Sequence, residues 1–316
     1  MGQKRREGTE VTDVIAILRQ IPRFADLQPE DATLTRLGGL TNQNWKVEQG
    51  GEAFVLRIAG AGTSEYIDRA NEETNARGAA AAGVGAEVLH CEPASGLMLT
   101  RYLPGVATMT PDLFRERPGA PGRAALALRQ MHRSGQSFAK RFELFAMIED
   151  YKALLAKLGA TLPEGYDAVV VQAGAVRAAL DAAPVELAPC HCDPLCENFL
   201  DDGRRMWVVD WEYSGVNDPW WDLGDLAVEA GFDPAQERAM LQAYCGGQPP
   251  SWAVGRTVIY KAMCDLLWTL WGLIQHAGGN PADDFWAYAL NRFARCKALM
   301  ADAAFPQHLA AIRAGA

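Results

Sequence analysis

The stretch Cys190–Asn198, CHCDPLCEN, concentrates side chains that can bind a metal ion or move a proton. Its soft ligands, of the kind that hold zinc, are Cys190, His191, Cys192 and Cys196. The same stretch contains a carboxylate, Asp193, and an amide, Asn198, which offer hard oxygen ligands. Two chemistries therefore have to be weighed: a zinc cluster, and a hard-cation site for which the cysteines are incidental.

The residues that follow have the pattern of a β-hairpin. The letters NFL, a DDG turn and the apolar run RMWVV precede Asp210. Because a hairpin brings its entry and its exit together, Asp210 is expected beside Asn198. Amide and carboxylate oxygens form the set that Mg²⁺ prefers, with phosphate oxygens in the other positions. Asp193, which precedes them, would then be free to orient and deprotonate a hydroxyl group.

The pattern H-x-D-x-x-x-x-N, followed by a strand that ends in Asp, is the phosphoryl-transfer constellation of kinase-like folds. Structural zinc sites usually pair two ligand couples, which disfavours zinc. The four remaining cysteines stand singly: Cys91, Cys245, Cys264 and Cys296. His191 is then a hydrogen-bonding residue that braces the loop, and Cys190 and Cys192 are small apolar side chains. The other alternative is a polar hairpin without chemistry.

Composition limits the class of protein. A chain of 316 residues with 49% hydrophobic and 22% charged residues can form one large domain or two lobes. A net charge of −9 disfavours a nucleic-acid partner. No apolar segment follows the basic start, and the most apolar late stretch, Leu266–Ile274, is far shorter than a membrane span of roughly 20 residues. Seven cysteines without a secretion signal predict reduced thiols and a cytoplasmic protein.

The chain divides into two parts of different character. Residues 1–103 have the pattern of an antiparallel sheet with one main helix. Residues 104–316 are dominated by long alanine- and leucine-rich helices around the hairpin. The sequence therefore predicts an α+β fold with a small N-terminal lobe and a larger helical C-terminal lobe. A small ligand is expected in the cleft between such lobes.

Two strings of the sequence carry a family resemblance. HCDPLCEN and the longer VVDWEYSGVNDPWWDLGDLAVE resemble the choline/ethanolamine kinase family, in particular its bacterial branch, within the aminoglycoside phosphotransferase-like group. The likeness runs from about Ile21 to the last tryptophan-bearing helix. It implies a bilobal, protein-kinase-like enzyme that uses ATP and Mg²⁺ to phosphorylate choline, or ethanolamine, on its hydroxyl. One position departs from the family: the residue after the histidine, often Asn there, is Cys192.

The resemblance assigns roles to residues of these strings. Asp193 matches the base that accepts the proton of the substrate hydroxyl, and Asn198 and Asp210 match the Mg²⁺ ligands. Glu212 is similar to the acidic residue that the family has near the metal. Asp222 matches a structural aspartate that braces the catalytic loop.

A kinase needs a loop over the nucleotide phosphates, and LGGLTNQNWKV supplies a glycine-bearing turn between two strands. Backbone and small polar groups of Gly39, Thr41 and Asn42 could approach phosphates closely there. A GG turn alone is more often only a turn, and the string is not a Walker A loop. The connector that contains Thr100 and Tyr102 would be the adenine hinge, which binds through backbone atoms.

A cation is expected on the phosphates as well. Lys46 and Arg57 are both candidates, and the resemblance favours Arg57, in the string FVLRI. Its usual partner is a glutamate of the following helix, where Glu72 and Glu73 stand side by side and Glu72 is favoured. Without a nucleotide role, Arg57 would be an exposed arginine on a strand.

The acceptor must be recognised by residues outside these strings. Trp268 and Trp271 are three apart in CDLLWTLWGLIQH, hence on one helix face, and Tyr288 follows in DDFWAYALNRF. Aromatic faces attract a quaternary ammonium ion by roughly 0.5–2 kcal/mol each, and Glu229 could add Coulomb attraction. Tryptophans at helical spacing are more often core residues. The resemblance favours a cage, because choline kinases have a similar W-x-x-W helix, a following tyrosine and an acidic residue.

Two rival functions stay open. The acceptor could be another amino-alcohol, an aminoglycoside or a thiamine-like molecule. Alternatively, the chain could be a catalytically silent protein that binds a small molecule on a kinase scaffold. The intact set of Asp193, Asn198 and Asp210 argues against the silent protein.

Overall fold

The computed structural model describes residues 13–38, 42–60 and 67–315, which form two compact units. The first unit comprises the chain up to Glu73 together with Ala86–Pro104, and the second comprises Thr74–Gly85 together with the chain from Gly105 onward. The sequence gives no sign that Thr74–Gly85 belongs to the second unit. A nucleotide-binding lobe that ends at residue 103 stays a prediction.

The first unit is built on an antiparallel sheet of five strands in the order β1-β2-β3-β5-β4. The strands are β1 Ala32–Arg36, β2 Gln43–Gln49, β3 Glu52–Ile58, β4 Val88–Glu92 and β5 Leu97–Arg101. Gly50 and Gly51 connect β2 to β3 with φ angles of 59° and 81°, left-handed values that glycine adopts without strain. One helix, α2 (Arg69–Ala81), lies between β3 and β4 in the chain. The predicted antiparallel sheet with one main helix is confirmed.

The core of this unit lies between the sheet and the first helix, α1, described over residues 13–18. Alternation of side chains along a strand puts Phe54 and Leu56 of β3 on the same buried face. They share one apolar cluster with Leu18 of α1. The rings of Phe24 and Phe54 meet edge to face, with centroids 5.5 Å apart.

The second unit is mainly helical, as predicted, and its helices pack around α9, Ser251–Ala277. The other helices are α3 Pro111–Glu116, α4 Ala120–His132, α5 Leu144–Lys157, α6 Tyr166–Ala182, α7 Trp220–Glu229, α8 Pro234–Cys245, α10 Phe285–Met300 and α11 Phe305–Ala314. By length and composition α9 could cross a membrane, but 89% of its most apolar window is buried in the folded chain. It has the burial of a core helix and is much longer than the apolar stretch Leu266–Ile274.

Two small sheets complete the second unit. Their strands are β6 Ala107–Thr108, β7 Ala188–Cys190, β8 Phe199–Asp201, β9 Met206–Val208 and β10 Gly215–Asn217. The hairpin predicted from the sequence is β8–β9, which β6 extends, whereas β7 pairs with β10. Asp202 closes its turn, because its Oδ1 accepts hydrogen bonds from the amides of Arg204 and Arg205 at 2.7 and 2.8 Å. The strands β6, β7 and β10 were not predicted.

Helix α7 approaches α9 closely at Gly224. A Cβ atom at this position would lie 2.7 Å from the Cβ of Tyr260 and 2.8 Å from the carbonyl oxygen of Thr257. Side-chain atoms cannot pack at such distances, so only glycine permits this contact. The contact sets how near the acidic side chains of α7 come to α9.

We therefore expect Gly224→Ala to lower the free energy of unfolding by about 1–3 kcal/mol, because the added methyl group overpacks the α7–α9 contact. Gly174→Ala is the matched control: Gly174 is exposed on α6, and a Cβ there meets no atom within 4 Å. The control should be neutral or stabilising by up to about 1 kcal/mol. Urea denaturation measures both, and equal stabilities of the two variants would contradict the close approach.

Candidate active site

The loop between β7 and β8 is closed by hydrogen bonds to its own backbone. The carbonyl oxygen of Asp193 accepts from the amide of Leu195 at 2.8 Å and from Nδ2 of Asn198 at 3.0 Å. The carbonyl of Asn198 in turn accepts from the amide of Val209 at 2.9 Å, which extends the β8–β9 pairing by one residue. Asp210 follows directly, so the hairpin brings Asn198 and Asp210 together in the arrangement that its sequence pattern predicts.

His191 uses both of its ring nitrogens in this loop. Its Nε2 lies 2.8 Å from the carbonyl oxygen of Val209, and its Nδ1 lies 3.3 Å from the amide nitrogen of Asp193. Since a carbonyl only accepts and an amide N–H only donates, the ring is neutral with its proton on Nε2. Burial, the largest effect, lowers the pKa of His191, in agreement with a neutral ring. His191 therefore joins the loop to the second strand and has no nitrogen left for a metal.

Asp222 is fully buried in the first turn of α7 and accepts hydrogen bonds from the same loop. Its Oδ2 accepts from the amide of His191 at 2.7 Å, and its Oδ1 accepts from the amide of Cys192 at 2.8 Å. Oδ2 also lies 2.9 Å from Nε2 of His132, whose Nδ1 is 2.8 Å from the hydroxyl of Tyr244. One carboxylate thus satisfies two adjacent buried amides of the loop.

Among the described residues, only two that are not glycine have left-handed backbone angles, and both lie in this site. Cys192 has φ of 68° and Asp210 has φ of 66°, a conformation that costs an L-residue about 1–2 kcal/mol. The amide of Cys192 is fixed by Asp222, and its carbonyl accepts from Nε1 of Trp221 at 3.0 Å. Asparagine adopts this conformation more readily than most residues, which is a physical reason for an asparagine at this position in choline kinases.

Asp193 is half-buried and surrounded by other carboxylates. Burial raises the pKa of Asp193 well above its usual range, and the negative charges of Asp225, Glu229, Asp210 and Glu212 raise it further. A carboxylate with a raised pKa is a stronger proton acceptor when it is ionised.

The cysteines of the loop are thiols rather than metal ligands. The thiol of Cys190 contacts the carbonyl oxygen of Asn217 at 3.5 Å, and burial raises the pKa values of Cys190 and Cys192. Ligand atoms of His132, Cys190 and Asp222 do lie within 4.8 Å of one another. Both ring nitrogens of His132 are already engaged, and the Asp222 carboxylate accepts from two loop amides, so this group does not fit zinc. All seven cysteines are free.

Asn198 and Asp210 offer the donors that a hard divalent cation needs. The Nδ2 of Asn198 donates to Asp193, so its acceptor atom, Oδ1, is available to a cation. That oxygen and the Asp210 carboxylate, with Glu212 two residues further on, form an all-oxygen donor set of the type that suits Mg²⁺.

In the first unit, Arg57 pairs with Glu72, the partner that the sequence favours over Glu73. The guanidinium contacts both carboxylate oxygens, with Nη2 at 2.9 Å from Oε2. Arg69 also donates to Oε2 of Glu72 at 2.9 Å. Both members of the pair are buried, so Arg57 is not the exposed strand arginine of the alternative interpretation. Two guanidiniums, from Arg57 and Arg69, thus share the carboxylate of Glu72.

The predicted phosphate loop is described only at its end. Gly39 and Thr41 lie outside the described residues. Oδ1 of Asn42 accepts a hydrogen bond from the amide of Gly60 at 3.3 Å. This bond connects the end of the loop, just before β2, with the chain just after β3.

The predicted hinge continues strand β5. Thr100 lies in β5, and Tyr102 extends the pairing with β3 by donating its amide to the carbonyl of Ala53 at 3.1 Å. The Nζ of Lys46, the rival cation, lies 4.7 Å from the centre of the Tyr102 ring. The structure therefore engages Lys46 with the hinge tyrosine, and Arg57 with the helix glutamate.

Four aromatic residues, which we call the aromatic cluster, meet in the second unit: Tyr213, Trp268, Trp271 and Tyr288. The ring centroids of Trp268 and Trp271 are 6.4 Å apart, and those of Trp271 and Tyr288 are 5.7 Å apart. Nε1 of Trp271 donates to the hydroxyl of Tyr213 at 2.9 Å. A Cβ on Gly272 would lie 2.7 Å from Cδ1 of Tyr288, so glycine is needed for the tyrosine to pack here.

Helix α7 brings two carboxylates to the aromatic cluster. Asp225 is fully buried; its Oδ1 accepts from the thiol of Cys264 at 2.7 Å and its Oδ2 from Nε1 of Trp268 at 3.3 Å. Glu229 forms an ion pair with Arg292 at 2.5 Å. The guanidinium carbon of Arg292 lies 4.5 Å from the centre of the Tyr288 ring.

Sequence reasoning missed three of these residues: Tyr213, Asp225 and Arg292. Tyr213 lies inside the string VVDWEYSG, three residues after Asp210. Asp225 is three residues after Asp222, and Arg292 is four residues after Tyr288. Residues three or four apart lie on one helix face, so the helical period could have predicted that Asp225 accompanies Asp222 and that Arg292 accompanies Tyr288.

Comparison with known proteins relates this geometry to a family. A model of the phosphotransferase enzyme family matches residues 33–258. The chain belongs to this family. It is 57% identical to a choline/ethanolamine kinase family protein from Mesorhizobium loti, with a TM-score of 0.87 and coverage of 96% of this chain and 100% of that chain.

Two further relatives support the resemblance to the choline/ethanolamine kinases. Protein LicA of Haemophilus influenzae is 30% identical over 278 residues, which are 85% of this chain and 80% of that protein. The choline kinase LicA from Streptococcus pneumoniae is 25% identical, with a TM-score of 0.77 and coverage of 92% of this chain and 99% of that chain. The predicted resemblance to the choline/ethanolamine kinases is confirmed.

As a member of the phosphotransferase family, the chain is a small-molecule kinase that acts on an alcohol group, as the sequence predicts. Membership implies ATP as the phosphoryl donor, and usually a divalent metal ion. The roles of the individual residues stay predictions.

We expect Asp222→Asn to lower the free energy of unfolding by roughly 2–5 kcal/mol, because an amide NH₂ group would face a buried amide N–H. Activity should fall as well, since the loop that carries Asp193 loses its anchor. Asp233→Asn is the matched control: Asp233 caps α8, and Asn caps a helix equally well. Thermal unfolding and kcat would be measured for both variants. An Asp222→Asn variant with unchanged stability and unchanged kcat would refute the anchoring role.

Proposed function

We propose that this chain transfers the γ-phosphoryl group of ATP to the hydroxyl of a small cationic alcohol, choline in the first place and ethanolamine in the second. The observation that carries the proposal is the aromatic cluster with its two carboxylates, Asp225 and Glu229, which lie near enough to Asp193 to raise its pKa. A base, aromatic faces and negative charge in one unit suit an acceptor with a hydroxyl at one end and a cation at the other.

In this proposal, Asp193 is the base. Its carboxylate accepts the hydroxyl proton as the acceptor oxygen bonds to the γ-phosphorus. The bond from that phosphorus to the bridging oxygen breaks, and ADP leaves. His191 and Asp222 act as positioning residues, since they fix the backbone on either side of the base.

We assign Asn198 and Asp210 as the ligands of Mg²⁺, with Glu212 close to the ion. When bound, Mg²⁺ would offset negative charge on the phosphate oxygens. The left-handed backbone of Asp210 turns its side chain out of the strand direction at the end of the hairpin. That turn lets Asp210 and Asn198 offer their oxygens to one ion.

In the first unit, we assign Arg57 to the nucleotide phosphates. The buried Glu72 holds its guanidinium in place, and Arg69 contacts the same carboxylate. Gly39, Thr41 and Asn42 would cover the phosphates. The backbone at Thr100 and Tyr102 would bind the adenine.

On the acceptor side, we assign Trp268, Trp271 and Tyr288 to the cation, with Glu229 adding negative charge. Burial of the tryptophans, 3% and 8% exposed, suits a core as well as a pocket. What favours a pocket is the pairing of ring faces with acidic groups, since an apolar core does not need buried carboxylates. Ring faces bind a methylated ammonium without hydrogen-bond acceptors, which favours choline over ethanolamine.

The seven free cysteines suit a reducing compartment. We therefore assign the reaction to the cytoplasm.

The acceptor prediction is tested with ethanolamine, its mono- and dimethyl derivatives, choline, thiamine and an aminoglycoside under one set of conditions. We expect kcat/KM to rise with each methyl group and to be highest for choline. Asp193→Asn should lower kcat for choline by about 10²–10⁴-fold. Highest turnover of a non-cationic or polycationic alcohol would overturn the choline assignment, and ligand binding without ATP consumption would identify a silent binding protein.

The metal assignment predicts that chelation by EDTA abolishes activity and that Mg²⁺ restores it. Asn198→Ala and Asp210→Ala should each raise the Mg²⁺ concentration for half-maximal rate by about tenfold or more. Glu197→Ala is the matched control, because Glu197 is an exposed carboxylate next to Asn198. One zinc ion per purified chain, lost on Cys190→Ala, would instead favour the zinc cluster.

A further inference from the structure

We propose that Asp225 makes the acceptor pocket selective for a cation, by acting on the acceptor through Trp268. This inference rests on the proposed function and deepens it. Sequence and family resemblance point to Glu229 as the acidic residue of the pocket, but the contacts of the two carboxylates differ in a way that gives Asp225 this role.

The charge of Glu229 is already balanced inside the protein. Arg292 is buried and lies 2.5 Å from Glu229. A second carboxylate, Asp265, accepts from Arg292 at 3.2 Å and from Arg295 at 2.5 Å. Glu229 and Asp265 thus face two guanidiniums, and this group of four residues is neutral.

Among the described residues, Asp225 forms no ion pair with a guanidinium, whereas Glu229 and Asp265 each do. Its two oxygens accept hydrogen bonds from neutral donors, the thiol of Cys264 and the indole of Trp268. An ionised Asp225 is therefore the excess negative charge of the pocket. A buried charge without a counterion is costly, and a cationic acceptor would supply the counterion.

Arg292 also limits which ring faces an acceptor can use. Its guanidinium carbon lies 4.5 Å from the centre of the Tyr288 ring, the position that an acceptor cation would take on that ring. The face of Tyr288 towards Arg292 is therefore taken by an internal cation. Of the three rings assigned to the cation, this leaves Trp268 and Trp271, both on α9, and Trp268 is the one that donates to Asp225.

The hydrogen bond from Nε1 of Trp268 to Asp225 couples the carboxylate to the ring. A negative acceptor on the N–H pulls the proton and leaves more electron density on the indole, which strengthens attraction of a cation to its face. Asp225 thus acts as a positioning and specificity residue without touching the acceptor, consistent with its complete burial.

Ionisation of Asp225 is linked to the acceptor. Burial raises the pKa of Asp225 well above its usual range, and Glu229 on the same helix raises it further, whereas Arg292 lowers it. Cys264 on α9 and Asp193 on the loop also face it. A bound cation lowers the pKa of Asp225, so binding of the acceptor favours the ionised carboxylate. Affinity for a cation should therefore rise with pH until Asp225 is ionised in the free protein.

The test compares choline with 3,3-dimethylbutan-1-ol, a neutral alcohol of the same shape, using dissociation constants from competition experiments on the full chain. In Asp225→Asn, the dissociation constant of choline should rise about tenfold or more, and that of the neutral alcohol should change by less than about threefold. In the wild type, the preference for choline over the neutral alcohol should grow as pH rises. In Asp225→Asn this growth with pH should be smaller, because only Asp193, whose pKa is also raised, then remains to titrate beside the acceptor.

The matched control removes the neutral ion pair instead. The double variant Glu229→Gln with Arg292→Gln alters the same pocket without changing its net charge, so it should keep the preference for choline over the neutral alcohol, whatever its turnover. Thermal unfolding identifies any variant that fails to fold. In that case Asp225→Glu, which keeps the charge, and Asp225→Ser, which removes it, provide the same comparison.

An equal loss of affinity for choline and for the neutral alcohol in Asp225→Asn would overturn the inference, because a merely structural role of Asp225 would weaken the binding of both. Loss of the preference in the double variant, but not in Asp225→Asn, would assign the charge to Glu229 instead. Either result leaves choline phosphorylation by the wild type intact. Absence of that phosphorylation, with another alcohol turned over, would instead overturn the proposed function.

Discussion

The site depends on one buried carboxylate, Asp222. It accepts from the amides of His191 and Cys192, two adjacent donors that would otherwise be buried without partners. Its place in the first turn of α7 is favourable for a negative charge, because the amide groups of a helix point out of its N-terminus. Through these bonds a helix determines the path of the loop that carries Asp193.

The loop, fixed by Asp222, in turn fixes the hairpin that follows it. His191, held at its amide, donates from its ring to Val209 and accepts from Asp193, so a single neutral ring spans the loop and the hairpin. Cys192 adopts a strained left-handed backbone because both of its backbone groups are fixed by α7, through Asp222 and Trp221. The two left-handed residues, Cys192 and Asp210, lie next to Asp193 in the chain and at the end of the hairpin. Residues elsewhere in the fold compensate for this strain.

Helix α7 joins this loop to the acceptor pocket. Asp222, Asp225 and Glu229 follow at intervals of three and four residues and so share one helix face. Gly224 lets that helix lie against α9, which carries Trp268 and Cys264. A single short helix therefore anchors the loop that carries Asp193 at its start and supplies acidic groups to the aromatic cluster further along. A change in the packing of α7 would therefore affect both the loop that carries Asp193 and the aromatic cluster.

The sequence by itself determined the fold class, the hairpin and the set of Asp193, Asn198 and Asp210, because these depend on local patterns and short spacings. It also indicated Trp268, Trp271 and Tyr288, although it could not separate a core from a cage. Tertiary structure decided which charges meet. It paired Arg57 with Glu72, occupied Glu229 with Arg292 and left Asp225 with neutral donors. These contacts join residues of different elements, which no local spacing encodes. In the second unit, close packing at Gly224 and Gly272 brings those elements together.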